Sequence, residues 1–151
     1  MGRGLRTGVG TSLEKGGGLS QKMRAMGLRR YGPPEVLEAL EVGRPEPGPE
    51  GVLIRVAAAG VNPADCLLRS GGLRFLARQK MPFVPGADVA GVVEAVGAGV
   101  TRFGVGDPVY AMLPNTAGGG YAEYAVAAEG PLRPYPRASL SGRRRACRWP
   151  R

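Results

Sequence analysis

The chain has 151 residues, the length of one ordinary domain, and it contains no histidine and only two cysteines. Without histidine there is no Ser-His or Cys-His catalytic pair and no His-ligated zinc or haem. Cys66 and Cys147 lie too far apart for a Cys-x-x-Cys redox pair, and we expect a reducing, cytoplasmic setting. Because no apolar run is long enough to cross a bilayer, we expect no membrane partner.

The net charge of +9 is concentrated at the two ends of the chain. Residues 1–22 carry a net charge of +3, residues 130–151 carry seven arginines and no acid, and residues 23–129 are nearly neutral at −1. A nucleic-acid-binding domain is expected to spread basic residues over a folded face. We therefore expect no specific nucleic-acid partner, and a small basic nucleic-acid-associated protein remains one alternative.

The same division predicts three segments. Residues 1–22 are rich in glycine and are expected to be a disordered or non-native extension. Met23 is then the expected physiological start, the alternative being a genuine flexible extension. Residues 23–129 are expected to fold, and residues 130–151 to form a basic tail.

The predicted elements follow one another as strand candidates at 23–30, 36–42 and 52–59, a helix, and strands at 88–96, 107–113 and 121–128. The helix begins at the Asn62-Pro63 pair, with asparagine as its N-cap, and stops at Gly71-Gly72. Gly91 lies inside a strand, which is typical of a bend or a close backbone approach. Short strands between glycine and proline turns favour a β-barrel or sandwich over a doubly wound parallel sheet.

The usual cofactor fingerprints are missing from the sequence. Segments 97–102 and 104–109 each begin Gly-x-Gly but lack the third small residue of a dinucleotide loop, and no Gly-Lys pair exists for a P-loop. Composition and spacing alone therefore indicate a small β domain whose function is open.

Seven short motifs run in order along the middle of the chain: Tyr31–Leu37, Pro45–Pro49, Ala58–Asp65, Val84–Val93, Val96–Phe103, Gly106–Asp107 and Gly119–Ala125. Together they resemble the N-terminal, GroES-like half of the medium-chain dehydrogenase/reductase superfamily. The branch that they resemble is that of the zinc-independent NADPH:quinone oxidoreductases of the zeta-crystallin type. The resemblance covers residues 23–129 and implies a mainly β fold, a partly open β-barrel with short helices.

The resemblance also bears on metal chemistry. Zinc-containing members of the superfamily have a cysteine ligand in the strand-to-helix turn and a His-Glu pair in the Pro-Gly loop that follows. Here the corresponding residues are Asn62, and Ala87 with Asp88. An amide, a methyl group and one carboxylate do not make a tetrahedral zinc site, so we expect no zinc. Hydride transfer from NADPH to a quinone or a similar electron-poor acceptor is then the implied reaction.

The resemblance implies site residues as well. Asn62 is expected in the cleft, near the nicotinamide or the substrate oxygen, and Asp65 is expected to support that turn. The alternative is that the two residues only begin the helix. Gly86, Gly91, Gly106 and Asp107 are expected to shape turns and backbone approaches rather than to take part in chemistry. In further expectations, Leu67 replaces an aromatic residue of relatives, Cys66 is unreactive, and Tyr121 and Tyr124 pack within a strand.

In this family the nucleotide lies between the barrel and a following Rossmann domain, which carries the phosphate-binding loop. We therefore expect a chain that is truncated before the Rossmann domain, inactive alone and unable to bind a dinucleotide; family members usually form homo-oligomers through that domain. The composition of residues 130–151 fits a frameshifted reading, and a natural basic tail is the alternative. Functional alternatives are an enoyl or alkene reductase of the same superfamily, or a non-catalytic GroES-like fragment.

Overall fold

A computed structural model describes residues 21–75, 78–114 and 117–135. The expectations for residues 1–20 and 136–151 lie outside these described residues. The elements, in chain order, are β1 (Lys22–Gly27), a 3₁₀ turn (Pro34–Val36), β2 (Glu38–Gly43), β3 (Gly51–Ala59), α1 (Pro63–Ser70), β4 (Asp88–Val96), β5 (Pro108–Met112), β6 (Tyr124–Ala128) and β7 (Arg133–Pro134).

The described strands form two antiparallel sheets. β1 and β2 make a two-stranded ribbon, and the other five strands make a sheet in the order β6-β3-β4-β5-β7. The two outer strands of the larger sheet are not paired with each other, so the structure is open rather than a closed barrel. The prediction of a mainly β, partly open fold is confirmed. Among the described residues, no helix has the length and apolar character needed to cross a membrane.

The main core lies on one face of the larger sheet, where apolar side chains at alternate positions turn inward. Val52, Ile54 and Val56 of β3 pack there with Val93 of β4 and Val109 of β5, and all five are buried. A second cluster joins α1 to the loop before β4 through Leu28, Val36, Leu68 and Phe83. This second cluster holds the helix that begins at Asn62 against the rest of the fold.

The ribbon joins the larger sheet mainly through residues 121–123. The Met26 amide donates to the Tyr121 carbonyl at 2.7 Å, and the Glu123 amide donates to the Arg24 carbonyl at 3.1 Å. The Arg24 guanidinium also donates to Glu123 Oε1 at 2.7 and 2.9 Å. These contacts explain why the strand predicted at 121–128 begins only at Tyr124 in β6: Tyr121 and Ala122 pair with β1, and Glu123 bonds both β1 and β3.

Other predicted strands also differ in length from the observed ones, and β3 begins one residue earlier than predicted, at Gly51. The strand predicted at 23–30 ends at Gly27, after which Leu28 pairs singly with Phe83. The strand predicted at 36–42 begins later, at Glu38, because Val36 closes the 3₁₀ turn that starts at Pro34. The strand predicted at 107–113 is shorter by one residue at each end.

The ordered sheet continues past residue 129, the expected end of the domain. The Leu132 side chain is fully buried in the main core, and the short β7 pairs with β5. The Tyr135 amide then donates to the Pro108 carbonyl at 2.8 Å. Leu132, four residues after the end of β6, is thus part of the main core, and the described sheet reaches residue 135.

Candidate functional site

The candidate site forms where β3 passes into α1. Asn62 is the N-cap of α1, Pro63 occupies the first helical position, and Gly71 ends the helix in the left-handed conformation with φ of 82°. These are the start and stop residues that the sequence predicted. Asn62 is half-buried and Asp65 is almost fully buried, at 4% exposure.

Asp65 holds three separate segments together. Its Oδ2 accepts a hydrogen bond from the Asn62 backbone amide at 2.9 Å and another from the Tyr121 hydroxyl at 3.1 Å. Its Oδ1 accepts from the Gly86 amide at 3.1 Å. A buried carboxylate needs such donors to compensate for its lost hydration. Asp65 therefore fixes the start of α1, the Pro-Gly loop and the segment before β6 relative to one another.

Asn62 is held a second time through its side chain. Its Nδ2 donates to Asp88 Oδ2 at 3.0 Å, so residues 26 positions apart meet at the start of α1. Asp88 begins β4 and is half-buried. The structure thus brings the two predicted cleft residues, Asn62 and Asp65, together with Asp88 and Tyr121. Sequence reasoning did not place these last two in the cleft; the only signal for Asp88 was its alignment with a zinc-ligand position.

Tyr121, expected above to pack within a strand, lies just before β6 and bonds Asp65 instead. Burial, together with the nearby negative charges, raises the pKa of the Tyr121 phenol above its usual value. The side chain therefore stays protonated and donates to Asp65 throughout the physiological range. At neutral pH its hydroxyl is therefore a hydrogen-bond donor to Asp65.

This shift predicts an effect at alkaline pH. A phenol that holds its proton more tightly in the folded protein stabilises the fold fully below its unfolded pKa of about 10, and this contribution is lost as the pH rises further. Of the five tyrosines, Tyr121 is expected to ionise late in a near-ultraviolet titration of the folded chain. Tyr121→Phe should abolish the late phase. If the variant instead loses amplitude from the main phase near the ordinary tyrosine pKa of about 10 and keeps the late phase, Tyr121 ionises normally.

Close backbone approaches surround the cluster. Gly86 has φ of 98°, and a Cβ there would lie 2.5 Å from the Tyr121 ring. Gly91 faces β3 so closely that a Cβ would lie 2.1 Å from the Arg55 carbonyl oxygen. Because glycine has no side chain, the Gly86 backbone can lie against the Tyr121 ring, and β4 can lie close to β3 at Gly91.

Gly106 and Asp107 lie elsewhere, in the turn before β5. Gly106 has φ of 94°, and Asp107 Oδ2 accepts from the Gly104 amide at 2.8 Å. Among the described residues, the hydrogen bonds of this turn join it to Val93 and not to the Asn62 cluster, by which we mean Asn62, Asp65, Asp88 and Tyr121. A groove of about 430 Å³ lies beside this turn, lined by Arg102, Phe103, Asp107, Pro108, Pro134 and Tyr135. No residue of the Asn62 cluster lines it, so this groove is not the candidate site.

Two side chains on α1 complete the description of the site. Leu67 is 49% exposed and Cys66 is exposed with a free thiol.

In the part of the chain that the structure describes, no three His, Cys, Asp or Glu side chains converge in a way that could hold a metal ion. Asn62 and Asp88, which the resemblance matched to zinc-ligand positions, are hydrogen-bonded to each other. Zinc independence stays a prediction.

Comparison with known proteins agrees with this architecture. The alcohol dehydrogenase GroES-like domain family matches residues 48–137. Quinone oxidoreductase from Lama guanicoe is 46% identical over 108 residues, which are 71% of this chain and 32% of that protein. Quinone oxidoreductase from Rattus norvegicus is 43% identical over 115 residues, or 76% of this chain and 34% of that protein.

A solved structure agrees as well. The quinone oxidoreductase of Pseudomonas syringae superposes with a TM-score of 0.70 at 38% identity, covering 77% of this chain and 34% of that one. The chain therefore spans about one third of the length of the curated relatives that it matches. The resemblance to the medium-chain dehydrogenase/reductase superfamily is confirmed, and the chain belongs to the alcohol dehydrogenase GroES-like domain family.

Proposed function

We propose that this chain supplies the acceptor-binding part of an NAD(P)H-dependent oxidoreductase that reduces a quinone or a similar electron-poor acceptor. The observation that carries the proposal is the Asn62 carboxamide, half-buried and hydrogen-bonded to Asp88 at the start of α1. The 43–46% identity to quinone oxidoreductases supports the choice of acceptor. A cytoplasmic setting remains our expectation.

For the reduction of a quinone, the main task of the protein is to orient the acceptor. Reduction of a quinone to a hydroquinone adds one hydride and one proton, and negative charge develops on a carbonyl oxygen. One N–H of the Asn62 amide bonds Asp88, and the other is available to donate to that oxygen. Because the Tyr121 pKa is raised and its hydroxyl bonds Asp65, we assign the proton to solvent.

The described residues do not fit a dinucleotide. Pyrophosphate binding favours a helix N-terminus with free amides and positive dipole, but the N-terminus of α1 already faces the Asp65 carboxylate. NADPH remains the expected reductant, held outside the residues described here, and zinc is not part of the proposed reaction.

The folded surface gives little support to a nucleic-acid role. Ion pairs engage Lys22 with Glu41, Arg24 with Glu123, Arg29 with Glu38, and both Arg44 and Arg55 with Glu94. A cation that is already paired with a carboxylate attracts a phosphate backbone less strongly than an unpaired one. The proposal therefore places the partner among small molecules.

Binding of duroquinone to the purified chain tests the proposed function. The four methyl groups of duroquinone block addition of thiols, so Cys66 does not react with it. We expect one-to-one binding by calorimetry, weakened roughly tenfold in Asn62→Ala through loss of one hydrogen bond, and unchanged in the surface control Thr101→Ala. Equal binding by wild type and Asn62→Ala, or a preference for an enoyl thioester over the quinone, would contradict the proposal.

The same preparation tests the expectation about the cofactor. We expect no quinone-dependent oxidation of NADPH by the chain alone, measured by the absorbance of the reduced nicotinamide. Turnover at a rate that Asn62→Ala abolishes would show instead that this chain itself holds the reductant.

A further inference from the structure

We propose that Asp88 is a positioning residue that fixes the orientation of the Asn62 carboxamide, so that the site presents an N–H donor to a neutral acceptor. This inference rests on the proposed function, because it specifies which atom of Asn62 meets the acceptor and what charge the acceptor carries.

The hydrogen bond between the two side chains determines the orientation. A carboxamide can be turned by 180° to present either its nitrogen or its oxygen, and a carboxylate can only accept hydrogen bonds. With Asp88 Oδ2 at 3.0 Å, the Asn62 nitrogen faces Asp88, since the reversed amide would place two oxygens against each other. The second N–H of the same nitrogen then remains for a ligand.

Asp88 is itself held in place by the backbone beneath it. Its carbonyl oxygen accepts from the Gly60 amide at 3.0 Å, and its register in β4 is fixed by pairing with Met112 of β5. A Cβ on Gly60 would lie 3.0 Å from Asp88 Cβ and 3.2 Å from Oδ2. The missing side chain at Gly60 therefore leaves the space in which the carboxylate lies against Asn62.

Two carboxylates thus hold two different parts of one residue. Asp65 accepts from the Asn62 backbone amide at 2.9 Å and fixes the main chain, whereas Asp88 fixes the side chain. Both negative groups lie close to the remaining N–H. An anionic acceptor would be repelled by them, and a neutral carbonyl oxygen would not. The geometry therefore selects an uncharged quinone over a carboxylated or sulfonated one.

Nuclear magnetic resonance of the full chain reads the orientation directly. The sequence contains two asparagines, Asn62 and Asn115, so selective ¹⁵N-asparagine labelling of a ¹³C-labelled chain gives two side-chain amide nitrogens and leaves the Asp88 carboxyl carbon observable. We expect a scalar coupling across the hydrogen bond from Asn62 Nδ2 to Asp88 Cγ in the wild type, which requires no variant to fold. Its absence from spectra that show the equivalent backbone couplings would overturn the proposal.

A variant series separates positioning from folding. In Asp88→Ala we expect at least tenfold faster hydrogen exchange of the Asn62 side-chain amide, while the Asn62 backbone amide stays protected by Asp65. The control Asp107→Ala removes an exposed carboxylate from a distant turn and should change neither signal. Unchanged side-chain exchange in a folded Asp88→Ala protein would overturn the positioning role.

Ligand binding then tests the acceptor class. We expect Asp88→Ala and Asn62→Ala each to weaken duroquinone binding roughly tenfold and the double variant to weaken it no further, because both remove the same donor. Anthraquinone-2-sulfonate should bind wild type at least tenfold more weakly than duroquinone. Equal affinity for the two quinones would overturn the proposed preference for a neutral acceptor. No binding of either quinone would reject the proposed function. The role of Asp88 is decided separately, by the nuclear magnetic resonance signals of the Asn62 amide.

Discussion

Asp65→Ala is expected to lower the free energy of unfolding by about 3–4 kcal/mol, because three donors lose their partner in a nearly water-free position. For a domain of this size that is a large part of the total stability. Urea unfolding followed by circular dichroism measures the loss. The effect should also appear as exposure of the Gly86 and Asn62 amides to hydrogen exchange.

Two matched variants show whether the loss of stability comes from the three hydrogen bonds that Asp65 accepts. Tyr121→Phe removes one of the three hydrogen bonds and is expected to cost about 1 kcal/mol. Asp107→Ala removes a carboxylate that accepts from an exposed turn amide and should cost less than Asp65→Ala. Equal destabilisation by Asp65→Ala and Asp107→Ala would mean that the three hydrogen bonds accepted by Asp65 stabilise the fold no more than one exposed turn contact does.

Gly91→Ala is expected to destabilise the chain by at least about 3 kcal/mol and to yield mostly insoluble protein. The new Cβ would lie 2.1 Å from the Arg55 carbonyl oxygen, a backbone atom that cannot move without separating β3 from β4. These two strands carry much of the main core. The soluble yield and the urea midpoint measure the effect.

Gly130→Ala is the matched control, since a Cβ there would meet no atom within 4 Å. We expect it to remain soluble and to unfold within about 0.5 kcal/mol of wild type. A Gly91→Ala protein as stable as this control would show that the two strands are further apart at this point than the structure has them.

Much of the fold could be predicted because its signals are local. Asn62 and Pro63 mark the start of α1, Gly71 marks its end, and apolar residues between turns mark β3 and β4. The glycine inside β4 predicted a close approach, and the distance to Arg55 is such an approach. These features depend on residues next to one another in sequence.

The site could be predicted only in part because its contacts are not local. Nothing in the segment 119–125 reveals that Tyr121 bonds Asp65, 56 residues earlier, rather than packing in a strand. The bond between Asn62 and Asp88 likewise depends on how the loop before β4 returns to α1. Burial of Leu132 was hidden for a related reason, since an isolated leucine among prolines and arginines carries no periodicity.

The pairing of the ribbon with residues 121–123 has a consequence during synthesis. Arg24 and Glu123 lie 99 residues apart, and β1 reaches the larger sheet through this segment. At about 5–20 residues per second, the ribosome needs roughly 5–20 s to deliver the second partner after the first. Throughout that interval Met23 and Ala25 lack Ala122, the third buried residue of their cluster, so we expect their apolar side chains to stay exposed to water until that residue is synthesised.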